Sequence, residues 1–238
     1  MIVLSRRNLV IISTLLATVI TFTVCIGALV GVKKSNAEVV GVKVVLDAGH
    51  GGKDGGVSGI KTGVKESDLN LKVVKKLENL FISAGISVVL TRSSEAGLYG
   101  TATSNLKKKD MLKRKEIINN ASPTLVISVH MNNYSVSSRR GAQVFYKASD
   151  SNAKKLASNI QKSFNEMKEA TRECSALTGD YYILNCSNFP SVIAECGFLS
   201  NPEEESLLVT NEYQEKIAYA IFKGAIEYLS EMSFNFFN

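Results

Sequence analysis

Tryptophan is absent from the 238 residues, and histidine occurs only twice, at His50 and His130, so any imidazole chemistry rests on those two side chains. Low-complexity sequence and internal repeats are also missing, which excludes a repeat array and leaves ordinary globular composition, 45% hydrophobic and 21% charged. Cysteine is too sparse for a disulfide scaffold. Cys25 lies in an apolar N-terminal stretch, and the others, Cys174, Cys186 and Cys196, are odd in number with no zinc-knuckle spacing. Cys174 and Cys186 could pair in an oxidising setting, but buried free thiols fit equally well. Acidic residues are missing from residues 1–37. Arg6, Arg7, Lys33 and Lys34 in that segment supply most of the net charge of +6; without them 24 basic residues face 22 acidic ones, a balance of +2. The globular remainder therefore makes no electrostatic case for nucleic acid. The run Lys107-Lys108-Lys109, with Lys113, Arg114 and Lys115, reads as a solvated helix face.

One long apolar run is present. Leu9 to Val32 is 24 residues without a charge. As a helix it would be about 36 Å long, enough to cross a bilayer. A signal-peptide core usually spans roughly 7–15 residues, which favours an uncleaved anchor, whereas Ser35-Asn36-Ala37 has the small-x-small form of a cleavage site. Two basic residues on each side leave the orientation open. Residues 1–37 are expected to be a signal peptide or transmembrane anchor, and residues 38–238 a single domain.

Glycine is unevenly spread. Seven of the 17 glycines, Gly49, Gly51, Gly52, Gly55, Gly56, Gly59 and Gly63, crowd into residues 49–63. Glycine costs backbone entropy, so the cluster points to tight turns or to something approaching closely. It matches no familiar phosphate loop. The Walker pattern needs Gly-Lys-Ser/Thr, and here Gly52-Lys53 is followed by Asp54; Gly49 and Gly51 also lead to Asp54, so G-x-G-x-x-G fails. Around the cluster, apolar patterning predicts strands at 43–46, "ISVVLTR", "LVISVHMN", "GAQVFYK", "YYILN" and "SVIAEC". It predicts helices from Glu66 to Ala84-Gly85, over "KKDMLKRKEIINNA" with Met111, Leu112, Ile117 and Ile118 as apolar positions, and over 153–167 and 213–229. A further helix should start at Pro202 in "NPEEE". The alternation predicts an α/β fold: a single six-stranded, mostly parallel or mixed sheet with helices on both faces.

Both histidines follow apolar runs, His50 after "VVLDAG" and His130 after "LVISV", at the C-terminal ends of expected central strands. Open α/β sheets bind ligands at that edge. Singly, each would pass as an ordinary loop histidine; as the only pair, at one edge, they suggest metal ligands. Glu66 opens the helix after the glycine loop, where it would complement the helix dipole, and the loop can bring it back to His50. Two imidazoles and a carboxylate make a zinc site with one position open to water. Glu195 ends an apolar strand at the same edge, where an unpartnered carboxylate is costly to bury. Asp47 and Asp54 are rival ligands, Asp47 being better suited to anchoring the loop. Together these residues suggest metal-assisted hydrolysis.

The segments "LDAGHGGKDGGVSG", "KESDLNL", "VVLTR", "LVISVHMN" and "FPSVIAECGFLSNPEEESLL", in order between Val42 and Tyr228, resemble the zinc-dependent N-acetylmuramoyl-L-alanine amidases of the amidase-3 type. "LYGTATSNLKKKDMLKRKEIIN" and the single-domain layout are similar to the sporulation members of that family, which act on spore-cortex peptidoglycan. The resemblance implies that His50, Glu66 and His130 hold Zn2+ and that Glu195 is the catalytic carboxylate. It implies hydrolysis of the amide between N-acetylmuramic acid and L-alanine, freeing stem peptides and preparing cortex for muramic-δ-lactam formation. Residues 38–238 would then be the zinc amidase domain, exported and membrane-associated around the developing spore. Met131 and Cys196 stand where relatives often have small or aliphatic residues. Without a wall-binding module, substrate capture would fall to the anchor or to an activating protein of the cortex-building system, and the apolar tail Phe234, Asn235, Phe236, Phe237 is a candidate contact for it. The residues read alone leave two other functions open: a membrane-anchored peptidoglycan-binding protein with little activity, and a zinc carboxypeptidase acting on stem peptides.

Overall fold

The computed structural model of the protein describes residues 41–170 and 172–235. The expected membrane segment, Cys25, and Phe236 and Phe237 of the tail lie outside the described residues. Among the described residues, no helix is long and apolar enough to cross a membrane. Strands β1 (Lys43–Ala48), β2 (Ser87–Leu90), β3 (Leu125–Asn132), β4 (Gln143–Tyr146), β5 (Leu177–Thr178) and β6 (Ser191–Phe198) form one six-stranded sheet. Its order is β2-β1-β3-β6-β4-β5. The first four run parallel, β4 pairs antiparallel with β6, and β5 follows β4 in parallel, so the sheet is mixed.

The central strands are apolar on both faces because helices cover both, as parallel strands require. Six helices are described: α1 (Glu66–Ser83), α2 (Leu106–Ala121), α3 (Ser151–Asn165), α4 (Tyr182–Asn185), α5 (Pro202–Leu208) and α6 (Asn211–Asn235). Leu69, Val73, Leu77 and Phe81 form one stripe of α1 and pack with α3 and α6 over Val44, Leu46 and Ile127. The alternate side chains Val45, Val126 and Ile193 face the other way, against Ile118 of α2 and Ile183 and Leu184 of α4. Asn201 caps α5, its side chain accepting hydrogen bonds from the amides of Glu203 and Glu204, with Pro202 at the start.

Two expectations need correction. "YYILN" is not a strand but the short helix α4, and the sixth strand is the two-residue β5 beside it. Ile183 and Leu184 are adjacent and both buried, while Tyr181 and Tyr182 are both exposed. That grouping suits a helical turn, not the alternation of a half-buried strand. In α2 the expected apolar face holds at Met111 and Ile118 but not at Leu112. Leu112 is 48% exposed, and the buried positions include Asp110 and Arg114 beside Ile118. Arg114 therefore does not belong to a solvated face. The three described cysteines are free thiols, Cys186 and Cys196 buried. α6 continues as backbone helix to Asn235, so the aromatic tail begins inside a helix.

Candidate metal centre

Where β1 ends, the chain turns immediately through Gly49 and His50. A Cβ at Gly49 would overlap the His130 imidazole, and one at Gly56 would overlap the Glu66 carboxylate. These are the close approaches that the glycine cluster suggested. His50 itself has φ 60°, a left-handed conformation uncommon for a residue with a side chain. Two buried arginines hold that turn through three consecutive carbonyls. Arg92 donates from Nε to the Ala48 carbonyl at 2.8 Å and from Nη2 to the Gly49 carbonyl at 2.9 Å. Arg114 donates from Nη1 to Ala48 at 2.8 Å and from Nη2 to His50 at 2.6 Å.

Arg114 is charge-paired on both sides, with Asp47 and with Asp110, whose Oδ2 is 2.6 Å from Nε. Asp47 also accepts from Thr91 Oγ1 at 2.6 Å and Ser128 Oγ at 2.5 Å. Burial alone would raise the Asp47 carboxyl, but the Arg114 guanidinium and the two hydroxyls hold it below the ordinary carboxylate range. Asp47 is thus a loop anchor, as its position suggested. Removing either member of such a buried pair strands the other charge, at a cost of about 3–5 kcal/mol. Neither arginine stands out as a site residue in the sequence. The available signals were the arginine that closes "VVLTR" and the lone arginine among lysines four residues after Asp110, a spacing that pairs side chains on a helix.

The anchored turn brings His50 to Glu66, the first residue of α1, and to His130 near the end of β3. One donor atom from each lies within 4.8 Å of the others, a group that could hold a metal ion. His130 Nδ1 is 2.8 Å and His50 Nε2 3.2 Å from the same oxygen, Glu66 Oε1. The imidazoles meet edge-on, with centroids 5.1 Å apart. Glu66 is fixed on its other side, where Oε2 accepts from the Val57 amide at 3.0 Å, and the Met131 amide reaches Oε1 at 3.3 Å. Asp54, considered as a ligand, instead lies 3.0 Å from His50 Nδ1, the nitrogen remote from Glu66. A carboxylate there orients the ring and leaves Nε2 as the donor toward the centre. Burial lowers the proton affinity of His50, but Glu66 and Asp54 together raise its pKa to about 8. Burial would raise that of Glu66, yet both imidazoles hold it far below the usual carboxylate range.

Glu195 stands on β6 in register with His130, so the sheet itself places it beside the three donors. Its Oε2 is enclosed and has no hydrogen-bond partner among the described residues. Burial pushes this carboxyl up to about 7, Glu66 adding to the rise and the two imidazoles opposing it. A cleft of about 630 Å³ opens over these four residues. Lys107 and Met111 on α2 form part of its wall, and Tyr181 and Tyr182 another. Of the two unusual neighbours noted in the sequence, Cys196 is buried in the core and Met131 is 2% exposed.

Residues 44–227 match the family described as N-acetylmuramoyl-L-alanine amidase. The chain is 35% identical over 192 residues to the germination-specific N-acetylmuramoyl-L-alanine amidase of Bacillus subtilis (strain 168), an alignment covering 79% of this chain and 80% of that protein. It is 30% identical over 192 residues to the N-acetylmuramoyl-L-alanine amidase LytC of the same organism, there covering 80% of this chain and 36% of the relative. Among solved structures it is similar to the CwlD amidase from Clostridioides difficile, determined in complex with the GerS lipoprotein. That likeness has a TM-score of 0.77 at 38% identity and covers 79% of this chain and 98% of the other. Sequence and fold agree from β1 to α6, and the chain belongs to the N-acetylmuramoyl-L-alanine amidase family as an enzyme of that kind.

Proposed function

We propose that the protein is a zinc-dependent peptidoglycan amidase in which His50, Glu66 and His130 hold the metal and Glu195 is the general base. The observation that carries this is the convergence of three donor atoms within 4.8 Å, beside a carboxylate whose enclosed oxygen has no partner among the described residues. Two imidazoles and one carboxylate are a donor set of hydrolytic zinc sites that keep a position open. When bound there, zinc supplies Lewis acidity, polarising the scissile carbonyl and making water a nucleophile near neutral pH. Glu195 accepts a proton from the attacking water and passes it to the departing amine of L-alanine. The water oxygen stays on the lactyl group of muramic acid as a carboxylate, the stem peptide leaves, and the glycan strand is untouched. Asp54 keeps His50 in the required tautomer, while Arg92 and Arg114 keep the strained turn in place. Exhaustive chelation should abolish release of stem peptides, and stoichiometric zinc should restore it. Hydrolysis that persists after complete metal removal contradicts the assignment.

A role in spore cortex, preparing muramic acid for the δ-lactam, is supported by the germination-specific relative and by the likeness to CwlD. The GerS lipoprotein in the CwlD structure supports an activating partner of that kind for this chain as well. Such a role requires export, which residues 1–37 would provide as a signal peptide or membrane anchor, with residues 38–238 as the catalytic domain. In fractionation with protease protection, the domain should be accessible from outside the cytoplasm; a protected cytoplasmic product would refute export.

A further inference from the structure

Lys107 differs in surroundings from the lysines that follow it. Lys113 pairs with Glu116 along α2 at 2.6 Å, whereas Lys107 lines the cleft. The other charged groups on the wall are the acids Asp47, Asp54, Glu66, Asp110, Asp180 and Glu195, and one arginine, Arg114. Arg114 is buried and already committed to Asp47 and Asp110. Apart from the imidazoles His50 and His130, Lys107 is therefore the accessible cation of this acidic cleft among the described residues. Among the described residues its ammonium forms no hydrogen bond or ion pair, although its charge is felt by Asp54. The helix gains nothing from it. Lys107, Lys108 and Lys109 occupy the first turn of α2 with no acid among them, the wrong sign for the helix dipole, and Asn105 provides no side-chain cap.

Another wall of the cleft is aromatic. Tyr181 and Tyr182 are 43% and 44% exposed, and Tyr181 meets Phe145 of β4 edge-on, with centroids 5.5 Å apart. Tyr181 directly precedes α4, which packs on β6, the strand that carries Glu195. The sheet order separates the two walls: α2, which carries Lys107, packs against β1 on one side of β3, while α4 packs against β6 on the other. The donors and Glu195 thus line a cleft with a cationic wall and an aromatic wall. The substrate has the same asymmetry about its scissile amide. On one side is a sugar ring, whose C–H face suits an aromatic wall with polar hydroxyls. On the other is a stem peptide whose second residue carries a free α-carboxylate, which suits an ammonium.

We propose that Lys107 binds that carboxylate and fixes the polarity of the substrate, with the stem toward α2 and the glycan toward Tyr181 and Tyr182. The inference rests on the amidase reading and deepens it. Two synthetic muropeptides test it with the zinc-loaded protein, identical except that the second residue of the stem carries an α-carboxylate in one and an α-carboxamide in the other. Lys107→Ala should raise KM for the acidic stem about tenfold, the scale of one charge-assisted hydrogen bond, leaving kcat and the KM for the amidated stem unchanged. Lys107→Arg should restore most of the loss, and Lys107→Glu should make the amidated stem the better substrate. Equal effects of Lys107→Ala on both stems, or no effect on either, would overturn the subsite. Wild-type protein that cleaves neither stem, alone or with a lipoprotein partner of the GerS kind, would overturn the amidase reading, and this inference with it.

Discussion

Glu195→Gln is expected to retain its metal and lose about 10²–10⁴-fold of its hydrolytic rate, the usual contribution of a positioned general base. The substitution is nearly isosteric, and the packing around it gives little reason for collapse. β6 is tied to β3 through backbone pairing at His130 and Glu195, which a side-chain amide leaves intact. Among the described residues, the enclosed Oε2 makes no hydrogen bond that could be lost. The donor group is formed by His50, Glu66 and His130 without Glu195, so the metal content should equal that of the wild type. What the amide cannot do is accept the proton of water and return it to the leaving amine. Thermal denaturation, metal analysis and turnover on one preparation separate these quantities. Normal turnover by the variant would remove Glu195 from its role.

Glu66→Gln should give the opposite pattern, a metal-poor protein whose inactivity follows from the empty site. Glu66 is 3% exposed, and one of its oxygens receives both imidazoles while the other accepts from the Val57 amide. A carboxamide offers only one acceptor oxygen. Its NH2 group must face either the Val57 N–H or the imidazole pair, and in both positions it presents a donor where an acceptor stood. It is also neutral, and so a weak ligand for zinc. Metal affinity should therefore fall by more than the 10–100-fold typical of losing an outer hydrogen-bond partner. Metal analysis after dialysis reads the loss directly. If Glu66→Gln kept its zinc while Glu195→Gln lost it, the two carboxylates would have exchanged roles.

The gathering of these residues at one place is legible in the sequence because two general features coincide at them. The apolar runs ending at His50, His130 and Glu195 mark strands, and strand C-termini in such sheets converge on one edge. The glycine-rich loop then has to return to Glu66 at the next helix start. Packing decided what was not legible. "YYILN" has aromatic residues that favour strands, but its burial pattern is helical and is set by the face it meets. The apolar count on α2 pointed to Leu112, whereas the helix spends its inward face on Asp110 and Arg114 in service of a turn 64 residues away. Such pairings are non-local and polar, and hydrophobic periodicity does not register them. The contact of Asp54 with the far nitrogen of His50 is similar, since only the folded loop distinguishes an orienting carboxylate from a ligand.

Digestion of purified peptidoglycan by the zinc-loaded protein, with mass spectrometry of the products, tests the central claim most directly. The expected products are complete stem peptides with a free L-alanine amine, and intact glycan strands whose muramic acid carries a bare lactyl carboxylate. Stems shortened at the C-terminus while still attached to muramic acid would contradict the claim and identify the site as that of a carboxypeptidase.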